Sequence, residues 1–97
     1  MVKSQDNTQQ KLVPDAVYIK HHSLSIMFRE GYESATKQKP YNYNIDSKHD
    51  AIFYARGRAF AVYTAKNNLP RAVWRKGVLA KTAGLRLIQA AKSGWVL

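Results

Sequence analysis

An all-α domain of three helices behind a flexible N-terminal tail is the fold this sequence predicts. Three observations carry the prediction. Apolar residues recur in steps of three and four along three segments. Two clusters of turn-forming residues, at 38–47 and around Asn67–Pro70, separate those segments. At 97 residues and 45% hydrophobic composition, the chain has enough apolar material for one small core.

Residues 1–13, MVKSQDNTQQKLV, are polar and aperiodic and read as a flexible tail; residues 14–97 form the single helical domain. Pro14-Asp15 opens the first helix, with Asp15 near its N-cap. Its stripe runs Val17, His21, Leu24, Phe28, Gly31 or Tyr32, and Ala35, with His21-His22-Ser23 as a candidate break. The loop QKPYNYNIDS follows, where Pro40 turns Lys39 away from helix and Asn42, Asn44 and Asp46 favour turns. Ser47, with Asp50 three residues on, caps a second helix over about 48–66. That helix is apolar almost all round, from Ile52 and Phe53 to Val62 and Tyr63, which predicts packing on both faces. Asn67-Asn68 ends it. Pro70 suits the first turn of a third helix over about 70–93, stopped by Ser93-Gly94. The stripe Val73, Gly77, Ala80, Gly84, Leu87 and Ala91 makes a small-residue seam on that helix. The glycines Gly31, Gly57, Gly77 and Gly84 fall inside predicted helices, where they weaken the helix and read as points of close approach. The apolar end, Trp95-Val96-Leu97, is expected to fold back.

The net charge is +10, and it is unevenly spread. Residues 1–50 hold seven Lys/Arg and all six Asp/Glu; residues 51–97 hold nine Lys/Arg and no acid. Solubility needs charge but does not require purging one sign, so a half-chain of single-sign charge predicts a polyanion partner. The stretch 51–65 is interrupted by Arg56 and Arg58 and is too short to span a bilayer. No apolar signal core precedes residue 10. There is no cysteine, which excludes disulfides, thiolate metal sites and a thiol nucleophile. The reading is a cytoplasmic protein without a membrane partner.

Catalytic constellations are missing. Glu30 and Glu33 share a helix face but sit beside Arg29 and Lys37, as surface charge pairs do. His21 and His22 are adjacent and point to different faces, without the spacing of a metal-binding helix. No P-loop, nucleophile elbow or dinucleotide fingerprint is present. No catalytic residue, metal or cofactor is therefore assigned, and the protein reads as a non-enzyme. Recognition chemistry is better represented. On a helix of roughly 100° per residue, Arg71, Arg75 and Arg86 fall within about 60° of one another, flanked by Lys76 and Lys81. Arginine forks match phosphate geometry, so this face is the expected nucleic-acid contact, assisted by Arg56 or Arg58. Arg56 and Arg58 leave opposite sides of their helix, and an acid such as Glu33 is a natural partner for one of them. Tyr41 and Tyr43, in the Asn-rich loop, are candidates for stacking on unpaired bases or for packing the loop down.

The order Phe28-Arg-Glu-Gly31-Tyr32-Glu-Ser-Ala35, then Lys39-Pro40-Tyr41, then Phe53, Gly57 and Ala61 at steps of four, resembles the ribosome modulation factor family. The resemblance covers about 28–61 and implies a short basic protein of two helices and a linker, bound to ribosomes, with Tyr32, Pro40, Tyr41 and Gly57 as the fold signature. The chain departs from that family in carrying Phe and Gly-Arg where Trp and Gly-Trp are usual, and in its third basic segment.

The expected function is that of a small basic nucleic-acid-binding protein, with structured RNA or the ribosome as first target and translation regulation as the role. The alternatives are a DNA-binding regulator or nucleoid factor, and a small protein-binding inhibitor or adaptor, of the kind phages encode, acting on an acidic host protein. A homodimer is also expected, because the apolar surface is large for the chain length.

Overall fold

A serine divides the first predicted helix in two. In the computed structural model, which describes residues 14–96, helix α1 spans Asp15–Leu24 and helix α2 spans Ile26–Thr36. Between them Ser25 is extended (φ −76°, ψ 118°), and its hydroxyl accepts a hydrogen bond from the Phe28 N–H at 3.0 Å. This N-cap satisfies a donor that the start of α2 would otherwise leave open. The break thus falls two residues beyond the His21-His22-Ser23 segment. The expected tail over 1–13 and the terminal Leu97 lie outside the described residues.

Helix α3 spans Lys48–Lys66, with the Ser47 hydroxyl accepting from the Asp50 N–H at 3.3 Å, as its sequence predicts. It crosses α2 in close backbone contact. A Cβ added at Gly31 would lie 2.1 Å from the Tyr54 carbonyl oxygen, and one added at Gly57 would lie 2.0 Å from that of Phe28. The two backbones therefore touch, and nothing larger than hydrogen fits at either position. Phe28, Tyr32, Phe60 and Ala61 surround the crossing as the centre of the core. The outer side of α3 stays open, with Ile52 and Val62 exposed, so α3 is not packed on both faces as expected.

The largest departure lies at 70–80. The third helix does not begin at Pro70. Residues 71–73 are irregular, Trp74–Arg75 (β1) and Val78–Leu79 (β2) form an antiparallel hairpin with Trp74 opposite Leu79, and helix α4 spans only Lys81–Lys92. Two causes are visible. Lys76 and Gly77 both have positive φ, 54° and 78°, as a tight two-residue hairpin loop demands and a helix forbids. Trp74 and Leu79 are both buried; on a helix, five residues apart, they would point about 140° away from each other. Gly77 is consequently a turn residue rather than a helix-packing one. Of the predicted seam, only Gly84, Leu87 and Ala91 lie on α4. There a Cβ on Gly84 would meet Ile19 Cγ2 of α1 at 2.9 Å, so Gly84 does serve close packing.

The hairpin is tied down by polar groups from α1 and α2. The Ser23 hydroxyl accepts from the Leu79 N–H (2.5 Å), and the Ser23 carbonyl accepts from the Trp74 indole N–H (3.2 Å). The Tyr32 hydroxyl accepts from the Ala72 N–H at 2.8 Å. All three bonds are buried, where an unpaired donor is costly.

Helices α2, α3 and α4 end alike. In each, the residue after the C-cap is left-handed (Gln38 φ 60°, Asn68 φ 54°, Gly94 φ 83°), and paired backbone bonds close the last turn. After Gly94 the chain folds back as expected: Val96 is buried, and Trp95 meets Tyr63 edge-on, ring centres 5.8 Å apart. Among the described residues the result is a mostly helical small domain of four helices and one short hairpin, rather than three helices.

Candidate nucleic-acid interface

The predicted basic residues separate into three environments. Arg71 is neutralised: its Nη2 pairs with Glu33 Oε1 of α2. Glu33 thus pins an arginine, as anticipated, but from the segment before the hairpin rather than from α3. Arg56 points inward from α3. Its Nη1 donates to His22 Nε2 at 3.1 Å, and its Cζ lies 5.4 Å from the centre of the Phe53 ring. Because arginine has no acceptor, His22 Nε2 must carry the lone pair, and His22 Nδ1–H donates to the Tyr18 carbonyl at 2.8 Å. The two partners fix a neutral imidazole. Burial holds its pKa well below the ordinary value, at about 4; the Tyr18 carbonyl acts in the opposite sense, and Arg56 and His21 add repulsion. Tyr18, stacked on His22 with centres 4.1 Å apart, has its phenol pKa raised by burial, against the pull of Arg56.

The third environment is free basic surface. Arg75 and Lys76 are exposed on the hairpin, Arg75 facing outward opposite Val78, and Lys81 is exposed at the start of α4. Arg86 is half-buried on α4. The three arginines do not form the single helical face predicted from their spacing: Arg71 lies in an irregular segment, Arg75 on a strand, and Arg86 on a helix, α4, which Lys81 begins. What survives is the imbalance of charge. Residues 14–50 carry five Lys/Arg and five Asp/Glu. Of the nine cations beyond residue 50, only Arg71 (with Glu33) and Lys92 (3.6 Å from Asp15) meet a carboxylate among the described residues. Arg29 of α2, read from the sequence as a surface charge beside Glu30 and Glu33, joins the hairpin: its Cζ stands 5.3 Å from the centre of the Trp74 ring.

Arg58 leaves α3 on the side away from Arg56 and meets the Asn-rich loop. Its Cζ lies 5.3 Å from the Tyr41 ring centre and 5.9 Å from that of Tyr54, and its Nη1 donates to the Tyr54 hydroxyl at 3.4 Å. Tyr41 and Tyr43 lie together, ring centres 4.7 Å apart. The structure thus brings Arg58, Tyr41 and Tyr43 into one cluster, which sequence spacing alone did not join. A helical residue and a loop residue 17 positions apart share no local signal.

Among the described residues, no three His, Asp or Glu side chains converge as a metal site, and no helix is long and apolar enough to cross a membrane. Compared with known protein families, curated proteins and solved structures, the chain matches none.

Proposed function

We propose that the protein binds nucleic acid, with structured RNA or the ribosome as its first target. One observation carries this reading: seven cations beyond residue 50 have no carboxylate partner among the described residues, and that half of the chain has no acid of its own. Arg75, Lys76, Lys81 and Arg86, with Arg58, are the phosphate contacts; Arg56 and Arg71 support the fold instead, because their guanidinium groups are already engaged. The resemblance to ribosome modulation factors favours ribosomal RNA, and its signature glycine, Gly57, lies at the α2–α3 crossing.

Phosphate binding releases counterions, so affinity falls steeply with salt. With five contacts, raising salt from about 0.1 M to about 0.5 M should weaken binding to an RNA hairpin on the order of a thousandfold. The double variant Arg75→Glu, Lys76→Glu should lose most of the affinity without lowering the melting temperature, since both side chains are exposed. Salt-independent binding, or unchanged affinity in the double variant, would remove this surface from consideration. Duplex DNA as competitor distinguishes a DNA regulator from an RNA binder.

A specific observation favours a second reading, a protein partner. Ile26 is 82% exposed and Leu24 53% exposed, beside an open groove of about 660 Å³ that Met27, His49 and Phe53 also line. Exposed aliphatic residues grouped around a groove are a common mark of protein contact surfaces. A defined complex that survives high salt would favour this reading.

A further inference from the structure

We infer that Tyr41, Tyr43 and Arg58 form a stacking platform for unpaired bases, so the ligand this surface selects is single-stranded rather than duplex nucleic acid. The inference rests on the nucleic-acid reading above and narrows it. Tyr43 is 85% exposed. A ring so exposed contributes little to the core, and its one aromatic neighbour is Tyr41. Tyr41 in turn meets Tyr54 edge-on, ring centres 5.1 Å apart at 87°. Tyr54 is almost wholly buried. A ladder of three rings therefore leads from the α2–α3 crossing to solvent.

The outer rungs are held in place. The Tyr54 hydroxyl accepts from the Asn42 N–H at 3.1 Å, and Asn42 Oδ1 accepts from the Asn44 N–H at 2.9 Å. Pro40 fixes its own φ just ahead of Tyr41. The loop therefore presents both tyrosines without a large ordering cost on binding. Every base has a π-face, so a platform of this kind takes unpaired nucleotides with little regard to sequence, whereas stacked pairs inside a duplex offer it no face. Arg58 supplies the complementary charge. It lies over Tyr41, gives one hydrogen bond to the Tyr54 hydroxyl and has no carboxylate partner among the described residues, which leaves its remaining N–H groups for the phosphate beside a stacked base.

The test compares a labelled short oligouridine with a blunt RNA duplex, each titrated with wild type, Tyr43→Ala and Tyr43→Phe. Tyr43→Ala is expected to weaken oligouridine binding roughly 5- to 100-fold and to leave duplex binding unchanged, and Tyr43→Phe, which keeps the ring, should stay close to wild type. The variants are expected to fold, because the side chain stands in water. Tyr43→Ala binding oligouridine as tightly as wild type, or weakening both ligands equally, overturns the inference. Wild type that binds the duplex but not oligouridine overturns it too, while leaving the nucleic-acid reading intact. Wild type that binds neither overturns both.

Discussion

His22 is the residue at which solution pH acts most directly on the fold. It is buried between Tyr18 and Phe53, with ring centres 4.1 and 4.7 Å away, and it accepts a hydrogen bond from Arg56. Protonation would abolish that acceptor and set two cations against each other. Its pKa is lowered from 6.5 in the unfolded chain to about 4 in the fold. A base with a depressed folded pKa contributes its full stability above the unfolded value. That stability is lost as pH falls, because the unfolded chain takes up the proton first. The window is therefore pH 6.5 down to 4, and the loss across it should be about 3 kcal/mol at roughly 1.4 kcal/mol per unit. Urea denaturation at pH 7 and pH 4.5 should show this slope in wild type and not in His22→Gln. The sequence showed His21 and His22 as neighbours on different helix faces; both lie in the last turn of α1, His21 exposed and His22 buried. The burial of His22 was not legible, because ring stacking across three elements leaves no mark in local spacing.

At the scale of elements, α2 and α3 touch through main chain at Gly31 and Gly57, with the rings of Phe28, Tyr32 and Phe60 packed around that contact. Gly31→Ala or Gly57→Ala forces the two helices apart, since the obstacle in each case is a carbonyl. We expect either substitution to cost about 3 kcal/mol or more, which lowers the melting temperature by more than about ten degrees in a domain of this size. Gly84→Ala is the informative contrast: its neighbour is an isoleucine side chain, which can move, so the loss should be near 1 kcal/mol. Thermal denaturation of the three variants ranks them directly. The role of these glycines was legible because Gly costs stability inside a helix and so signals a reason for its presence. The same reasoning misled at Gly77, where the glycine serves a turn. The steps of three and four through Val73, Gly77 and Ala80 imitated a helix. The competing signal, two positive-φ positions between Trp74-Arg75 and Val78-Leu79, is only two residues long. Caps were easier to read: Ser47 and Ser93-Gly94 act through bonds within a few residues, as their sequence predicts.

For the whole molecule, charge sets two opposite responses to salt. The C-terminal half repels itself, and screening relieves that repulsion. Raising ionic strength from about 0.02 M to about 0.2 M should lift the melting temperature by a few degrees, while affinity for RNA falls over the same range. A melting temperature that falls with salt would show that ion pairs such as Arg71–Glu33 outweigh the repulsion. The imbalance was plain in the sequence, because composition does not depend on fold. The distribution of those charges over a strand, a turn and a helix was not, because it followed from the hairpin. Arg58 and the two loop tyrosines were each noted in the sequence, yet their meeting depends on the crossing that carries α3 past the loop.

That crossing has a consequence for descent. Side-chain cores drift, since one well-fitting apolar set can replace another. A contact between two main chains offers no such substitute. Distant relatives of this chain should therefore differ almost everywhere in the core and still keep glycine at the positions of Gly31 and Gly57, so this pair is the marker by which to recognise them.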